Sequence, residues 1–242
     1  MGVLSGGVFP STTDDLTDLR RLADDIGERS FNDRIGHRAL PDPLDTTAWR
    51  HLEDAGLTRL GSTEDSGAGP REVAVILRAL ARHGVTVPLA ETDLLAGWLA
   101  ATAGVAVPEN GPLTIALGDA VAGTGDRITA TVPAVPFATE AAAVVLALRD
   151  GDGVLVAACS PSDVSIAQGR NAGGEPRDTV TVAMSRESFT PVDGDVAAEL
   201  VRRGAWARCM QIIGALDAAV EFSVAHTRER EQFGRPLSAF QA

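Results

Sequence analysis

The side chains best suited to chemistry are concentrated near the carboxyl end, in Arg228-Glu-Arg-Glu-Gln-Phe-Gly-Arg-Pro-Leu-Ser-Ala-Phe-Gln241. On residue types alone this is a helix end, closed by Gly234 and barred from simple continuation by Pro236. Arg228 and Arg230 would favour the C-terminal dipole there and pair with Glu229 or Glu231. A second candidate is Glu64-Asp-Ser-Gly-Ala-Gly-Pro70. It reads either as an anion nest opening the next helix or as a tight connection that needs unusual dihedrals. Its Glu64 and Asp65 make it a poor phosphate site.

Other chemistries find little support. Gly123-Thr-Gly125 lacks a third glycine at the right spacing, and no phosphate-binding loop ending in Lys can exist in a chain without Lys. Neither a G-x-S-x-G elbow nor an H-E-x-x-H pair occurs, and His37, His51, His83 and His226 are scattered on helix faces. Cys159 and Cys209 form no CxxC pairing and have no His at ligand spacing, so neither a metal site nor a disulfide is expected. With 33 acidic against 21 basic residues, net −12, the surface field repels polyanions, and nucleic acid is excluded as a partner. The amino terminus has no basic n-region and no proper apolar h-region. The longest uncharged apolar run, Leu94 to Pro108, is short of the roughly 20 residues a bilayer span requires. A cytoplasmic protein with no membrane span is expected.

These residues must be positioned by a chain that changes period twice. Apolar spacing of three and four predicts helices over Asp14–Phe31, Thr47–Ala55, Arg71–His83 and Leu94–Ala103. At about Pro112 the period becomes alternating. Val144–Leu148 and Val154–Ala158 flank Arg149-Asp-Gly-Asp-Gly, a hairpin turn, and Ile128–Val132, Val164–Ala167 and Thr179–Met184 add short strands. From Val196 a helical period holds for more than thirty residues, with Val201, Trp206, Met210, Ile213, Leu216, Val220 and Val224 on one side, as in a helix covered by several neighbours. The expected fold class is α+β and multidomain: an N-terminal helical domain over 1–110, a middle antiparallel β domain over 111–194, and the beginning of a C-terminal helical bundle domain over 195–242.

Ala205 to Gln241 resembles the signature at the start of the C-terminal helical domain of acyl-CoA dehydrogenases, flavoproteins that desaturate acyl thioesters. Ala55-Gly-Leu followed by Glu64-Asp-Ser-Gly-Ala-Gly resembles that family's amino-terminal element, and helix, sheet, helix is its architecture. The resemblance implies FAD as cofactor, shared across a subunit interface. It carries Arg230 to the flavin pyrophosphate of a neighbouring subunit, where a planar fork suits two phosphate oxygens at once. By the same resemblance Gln232 and Phe233 line that flavin, and Gln241 contacts its adenosine side. It further implies an acyl-CoA substrate and a homo- or hetero-oligomer with another chain of this type, and leaves room for electron-transfer flavoprotein as a further partner.

Two departures stand against a self-sufficient enzyme. Where family members carry a T-E-P-x-x-G-S-D element and a tryptophan-containing strand, this chain reads Leu113-Thr-Ile-Ala-Leu-Gly-Asp-Ala and Val132-Pro-Ala-Val-Pro-Phe. The family's catalytic glutamate lies further downstream, so no catalytic residue is nominated, and the chain reads as truncated within its C-terminal domain. Two expectations follow: an FAD-dependent acyl-CoA dehydrogenase-like subunit acting in lipid or steroid catabolism, or a non-catalytic partner that completes a sister chain's flavin site, as in heteromeric enzymes for steroid side-chain thioesters.

Overall fold

The computed structural model describes residues 16–36, 44–63 and 67–240. Glu64–Ser66, His37 and Gln241, singled out above, lie outside the described residues. The amino-terminal part holds α1 (Thr17–Arg34), α2 (Thr46–Asp54) and α3 (Pro70–Arg82). Asp45 caps α2 by accepting from the Ala48 N–H at 2.9 Å, and it also takes the Ser30 hydroxyl of α1. Glu72 reaches back from the first turn of α3 to the Gly69 N–H at 2.7 Å. Apolar faces around Ala23, Ile26, Trp49, Leu52, Ile76, Leu77 and Leu80 meet in one core.

The helix expected at Leu94–Ala103 starts earlier and differently. A π-helical segment, Glu91–Gly97, runs into α4 (Trp98–Ala103), which Gly104 ends in the left-handed region. Three consecutive buried polar side chains fill the segment's first positions. Burial of such groups is tolerated only with partners, and each has one from a different element. Glu91 meets Arg208, and Thr92 both accepts from the Leu113 N–H (2.9 Å) and donates to its carbonyl (3.1 Å). Asp93 accepts from the N–H groups of Gly61 and Ser62.

The middle part is two four-stranded sheets face to face. One has the order β1 (Leu113–Asp119), β4 (Ala143–Asp150), β5 (Gly153–Cys159), β8 (Thr190–Asp193). The other has β2 (Val121–Ala122), β3 (Arg127–Val135), β7 (Asp178–Ser185), β6 (Ser165–Ala167). The β4–β5 hairpin is as expected, with Gly151 at φ +60°. One pairing departs from the antiparallel expectation: β1 and β4 run parallel. The first sheet is buried on both faces, with Val144, Leu146 and Leu148 against the second sheet and Ala143, Val145 and Ala147 against Leu99 and Leu200. That is why β4 is a continuous apolar run.

The last long element is α5 (Asp195–Glu229), 35 residues. Its expected apolar side is corrected by the structure. Trp206 and Met210 pack on the helical core, whereas Val201, Leu216 and Val220 are exposed. The fully buried positions are Leu200, Ala207 and Gly214, a seven-residue spacing of mostly small residues. The reason is close approach: a Cβ on Gly214 would stand 2.1 Å from the Arg78 carbonyl oxygen of α3. Among the described residues, neighbours therefore cover one side of α5 only.

Candidate functional site

The terminal stretch does not end as its residue types suggest. The helix stops at Glu229, and the chain turns into a two-residue hairpin, β9 (Glu231–Gln232) with β10 (Arg235–Pro236). Gly234 is therefore a turn residue at φ +76°, not a helix terminator. Phe233 precedes it at φ +52°, so both central residues are left-handed, as a tight hairpin turn demands. For a residue with a bulky side chain this region is uncommon and costs about 1 kcal/mol. Among the described residues the ring gains in return only an edge contact with Phe240 at 6.4 Å, and 93% of the residue is exposed. The helix-like pattern expected after Pro236 is a single 3₁₀ turn, Leu237–Ala239.

The charges behave unlike the helix-end reading as well. Neither Arg228 nor Arg230 forms an ion pair among the described residues, although Glu229 and Glu231 are adjacent. The backbone of Arg230 is fixed, its N–H donating to His226 and its carbonyl accepting from Leu237, while its side chain is open. Arg235 stacks over Phe240 at 4.0 Å. An unpaired guanidinium beside an outward aromatic ring is a donor set that fits a pyrophosphate joined to a flat ring system.

Arg230 immediately precedes β9, Gln232 ends it, and Phe233 takes the first turn position. The structure also shows a groove that sequence reasoning missed. A cavity of about 510 Å³ runs between α3, the segment after it, the loop at 173–177 and α5. Leu77, Leu80, Val85, Val87, Leu89 and Ile212 give it an apolar floor. Arg34, Arg177 and Arg208 against Glu175 give its lining a net charge of +2, in a chain whose net charge is −12. The one available signal was the acidic pair Glu91 and Asp93 inside an apolar run, since carboxylates there require partners. Burial pushes the Asp93 carboxyl above its ordinary range, and the Gly61 and Ser62 N–H groups act against that shift. The same bonds occupy N–H groups just before the glycine-rich loop, and Glu72 occupies that of Gly69. Burial likewise pushes the Cys159 thiol up to about 11, which makes it inert. Among the described residues no three His, Cys, Asp or Glu side chains could hold a metal, and no helix is long and apolar enough to cross a membrane.

Residues 193–242 match the family model of the acyl-CoA dehydrogenase C-terminal domain. The chain is also 28% identical to the acyl-CoA dehydrogenase FadE27 of Mycobacterium tuberculosis, over 96% of this chain and 70% of the relative. Over residues 193–242 the chain is thus similar to the acyl-CoA dehydrogenase family. The described residues have the acyl-CoA dehydrogenase fold. The ChsE4–ChsE5 complex from Mycobacterium tuberculosis superposes with a TM-score of 0.74 at 24% identity, over 95% of this chain and 71% of that one. Butyryl-CoA dehydrogenase from Megasphaera elsdenii does so with a TM-score of 0.74 at 17% identity, over 94% and 72%. Among proteins of similar fold, a glutaryl-CoA dehydrogenase from Mycobacterium smegmatis is in complex with FADH2 and PigA is with FAD and proline.

Proposed function

We propose that this chain is a subunit of an acyl-CoA dehydrogenase assembly and lends its β9–β10 hairpin to an FAD seated mainly in a neighbouring chain. The assembly carries out α,β-desaturation of an acyl-CoA thioester. The observation that carries this reading is the hairpin tip, where an exposed Phe233 in a strained conformation stands with an Arg230 guanidinium that has no side-chain partner among the described residues. Strain of this kind persists where it serves contact with something else. Arg230 would grip the pyrophosphate, Gln232 and Phe233 would line the flavin, and Gln241 would lie on the adenosine side. When bound, FAD supplies the hydride acceptor; the residues of this chain bind and orient it. The groove suits the substrate, with its floor for the acyl group and its positive rim for the anionic CoA.

Within this reading the partner role is favoured over a chain that also seats its own flavin ring. In the segment Leu113–Ala120 the polar side chains are already engaged: the Thr114 hydroxyl donates to the Pro136 carbonyl, and Asp119 is bound by Arg149 at 2.8 Å. Residues 132–137 offer no polar side chain at all, and Val135 and Phe137 are buried. The flavin absorbance of the purified chain, alone and co-expressed with a sister chain, tests this. Colour only with the sister chain is expected, and a yellow chain alone would sink the partner role. In the assembly, Arg230→Ala should weaken flavin retention by about 1.5–3 kcal/mol through loss of a charge-assisted contact. Unchanged flavin content would remove Arg230 from the site.

A further inference from the structure

Of the three arginines lining the groove, two have carboxylate partners. Arg177 donates to Glu175 at 3.0 Å, and Arg208 is bound to Glu91. Arg34 differs. Its Nε donates to the Ser30 carbonyl at 3.0 Å and its Nη2 to the His83 carbonyl at 2.6 Å, and no carboxylate meets it among the described residues. Two backbone oxygens, one within α1 and one at the end of α3, thus fix the guanidinium without cancelling its charge. Gly84 lies beside the fork and is required there by its left-handed backbone, φ +65°, since a Cβ would make only ordinary contact with Nη1 at 3.6 Å. Further N–H groups of this half-buried fork have no acceptor among the described residues. A fixed, uncompensated fork at the edge of an apolar trough is preorganised for an oxyanion, because its ordering cost is met before the ligand arrives.

We infer that Arg34 is an anion-binding residue of this groove and selects ligands that carry a phosphate or carboxylate on an apolar body. The inference rests on the acyl-CoA reading only for the identity of the ligand. Phosphates of CoA and a carboxylate at the far end of the acyl group share the required chemistry, and the two sources can be separated.

Binding of octanoyl-CoA, octanoyl-pantetheine and octanedioyl-pantetheine to the intact protein and to Arg34→Gln would be measured by titration calorimetry. Neutral octanoyl-pantetheine should bind both proteins equally. Octanoyl-CoA should lose roughly tenfold to hundredfold in affinity in the variant if the phosphate is the partner, and octanedioyl-pantetheine if the carboxylate is. Equal affinities of both anionic thioesters for the two proteins would overturn the inference. Arg34 holds no buried carboxylate, so the variant should keep its fold, checked by its helical circular dichroism; Arg50→Gln, away from the groove, controls for general loss of charge. If no thioester binds the intact protein, the acyl-CoA reading fails by itself. Sodium octanoate then decides: tighter binding to the intact protein than to Arg34→Gln upholds the role of Arg34, and no difference ends it.

Discussion

The carboxylate of Glu91, with 2% of its side chain exposed, is held by the guanidinium of Arg208, which lies 117 positions later on α5. The pair ties the π-helical segment to the long helix at the wall of the groove. Arg208→Met leaves a buried charge alone and should cost about 2–4 kcal/mol, toward the low end of such effects because Arg208 itself is half exposed. Adding Glu91→Met should recover most of that loss. A urea-unfolding double-mutant cycle measures the coupling, and strictly additive losses would show that the pair does not act as a unit.

Asp93 accepts N–H bonds from both Gly61 and Ser62. Asp93→Asn keeps the volume but turns an amide donor toward N–H groups, so a loss of about 1–3 kcal/mol is expected. Hydrogen exchange at the Gly61 and Ser62 amides should rise in the same variant; unchanged protection there would mean that water or another acceptor does the work of Asp93.

At Gly214, α5 approaches the α3 backbone at Arg78 closely. Gly214→Ala improves helix propensity by about 1 kcal/mol. Against that, its Cβ would sit 2.1 Å from backbone, with no flexible side chain to yield. Overpacking of this kind costs about 1–3 kcal/mol, so net destabilisation should win. A thermal midpoint raised by the substitution would contradict the close approach.

Acid should loosen the same contact. Arg78 donates to Asp217 at 2.6 Å and holds its carboxyl below the usual carboxylate range. A depressed folded pKa gives stability that is present above the unfolded pKa and lost as pH falls through the folded one. Glu199 beside Arg202 and Asp119 beside Arg149 act in the same direction, whereas Asp93, whose pKa is raised, acts in the opposite one. Denaturation midpoints followed downward from about pH 6 should fall below the ordinary carboxylate range, less steeply in Asp217→Asn. Identical slopes would show that the Arg78 pair contributes nothing.

The local periods told most about helices α1 to α3 and the β4–β5 hairpin, because each rests on nearby spacing and turn glycines. Three features were hidden because they depend on distant partners. The face of α5 is selected by the α3 backbone at Gly214, so small residues are buried while Leu216 and Val220 remain outside. The π-helical segment is held by Arg208, Leu113 and Gly61, none of them near it in sequence. The parallel β1–β4 pair spans the whole β2–β3 excursion and leaves no local mark. At the hairpin, residue types misjudged Gly234, whose positive φ serves a turn between strands.

Phe233 occupies a turn position where Gly or Asn would fold with less strain. Phe233→Gly would make the isolated chain the better folder. Selection for thermal tolerance alone, acting on the isolated chain, would therefore erase the residue that faces outward. Engineering this scaffold for robustness carries a hidden hazard at that position: a substitution that scores as an improvement in a melting assay would remove the ring proposed to meet the neighbouring subunit.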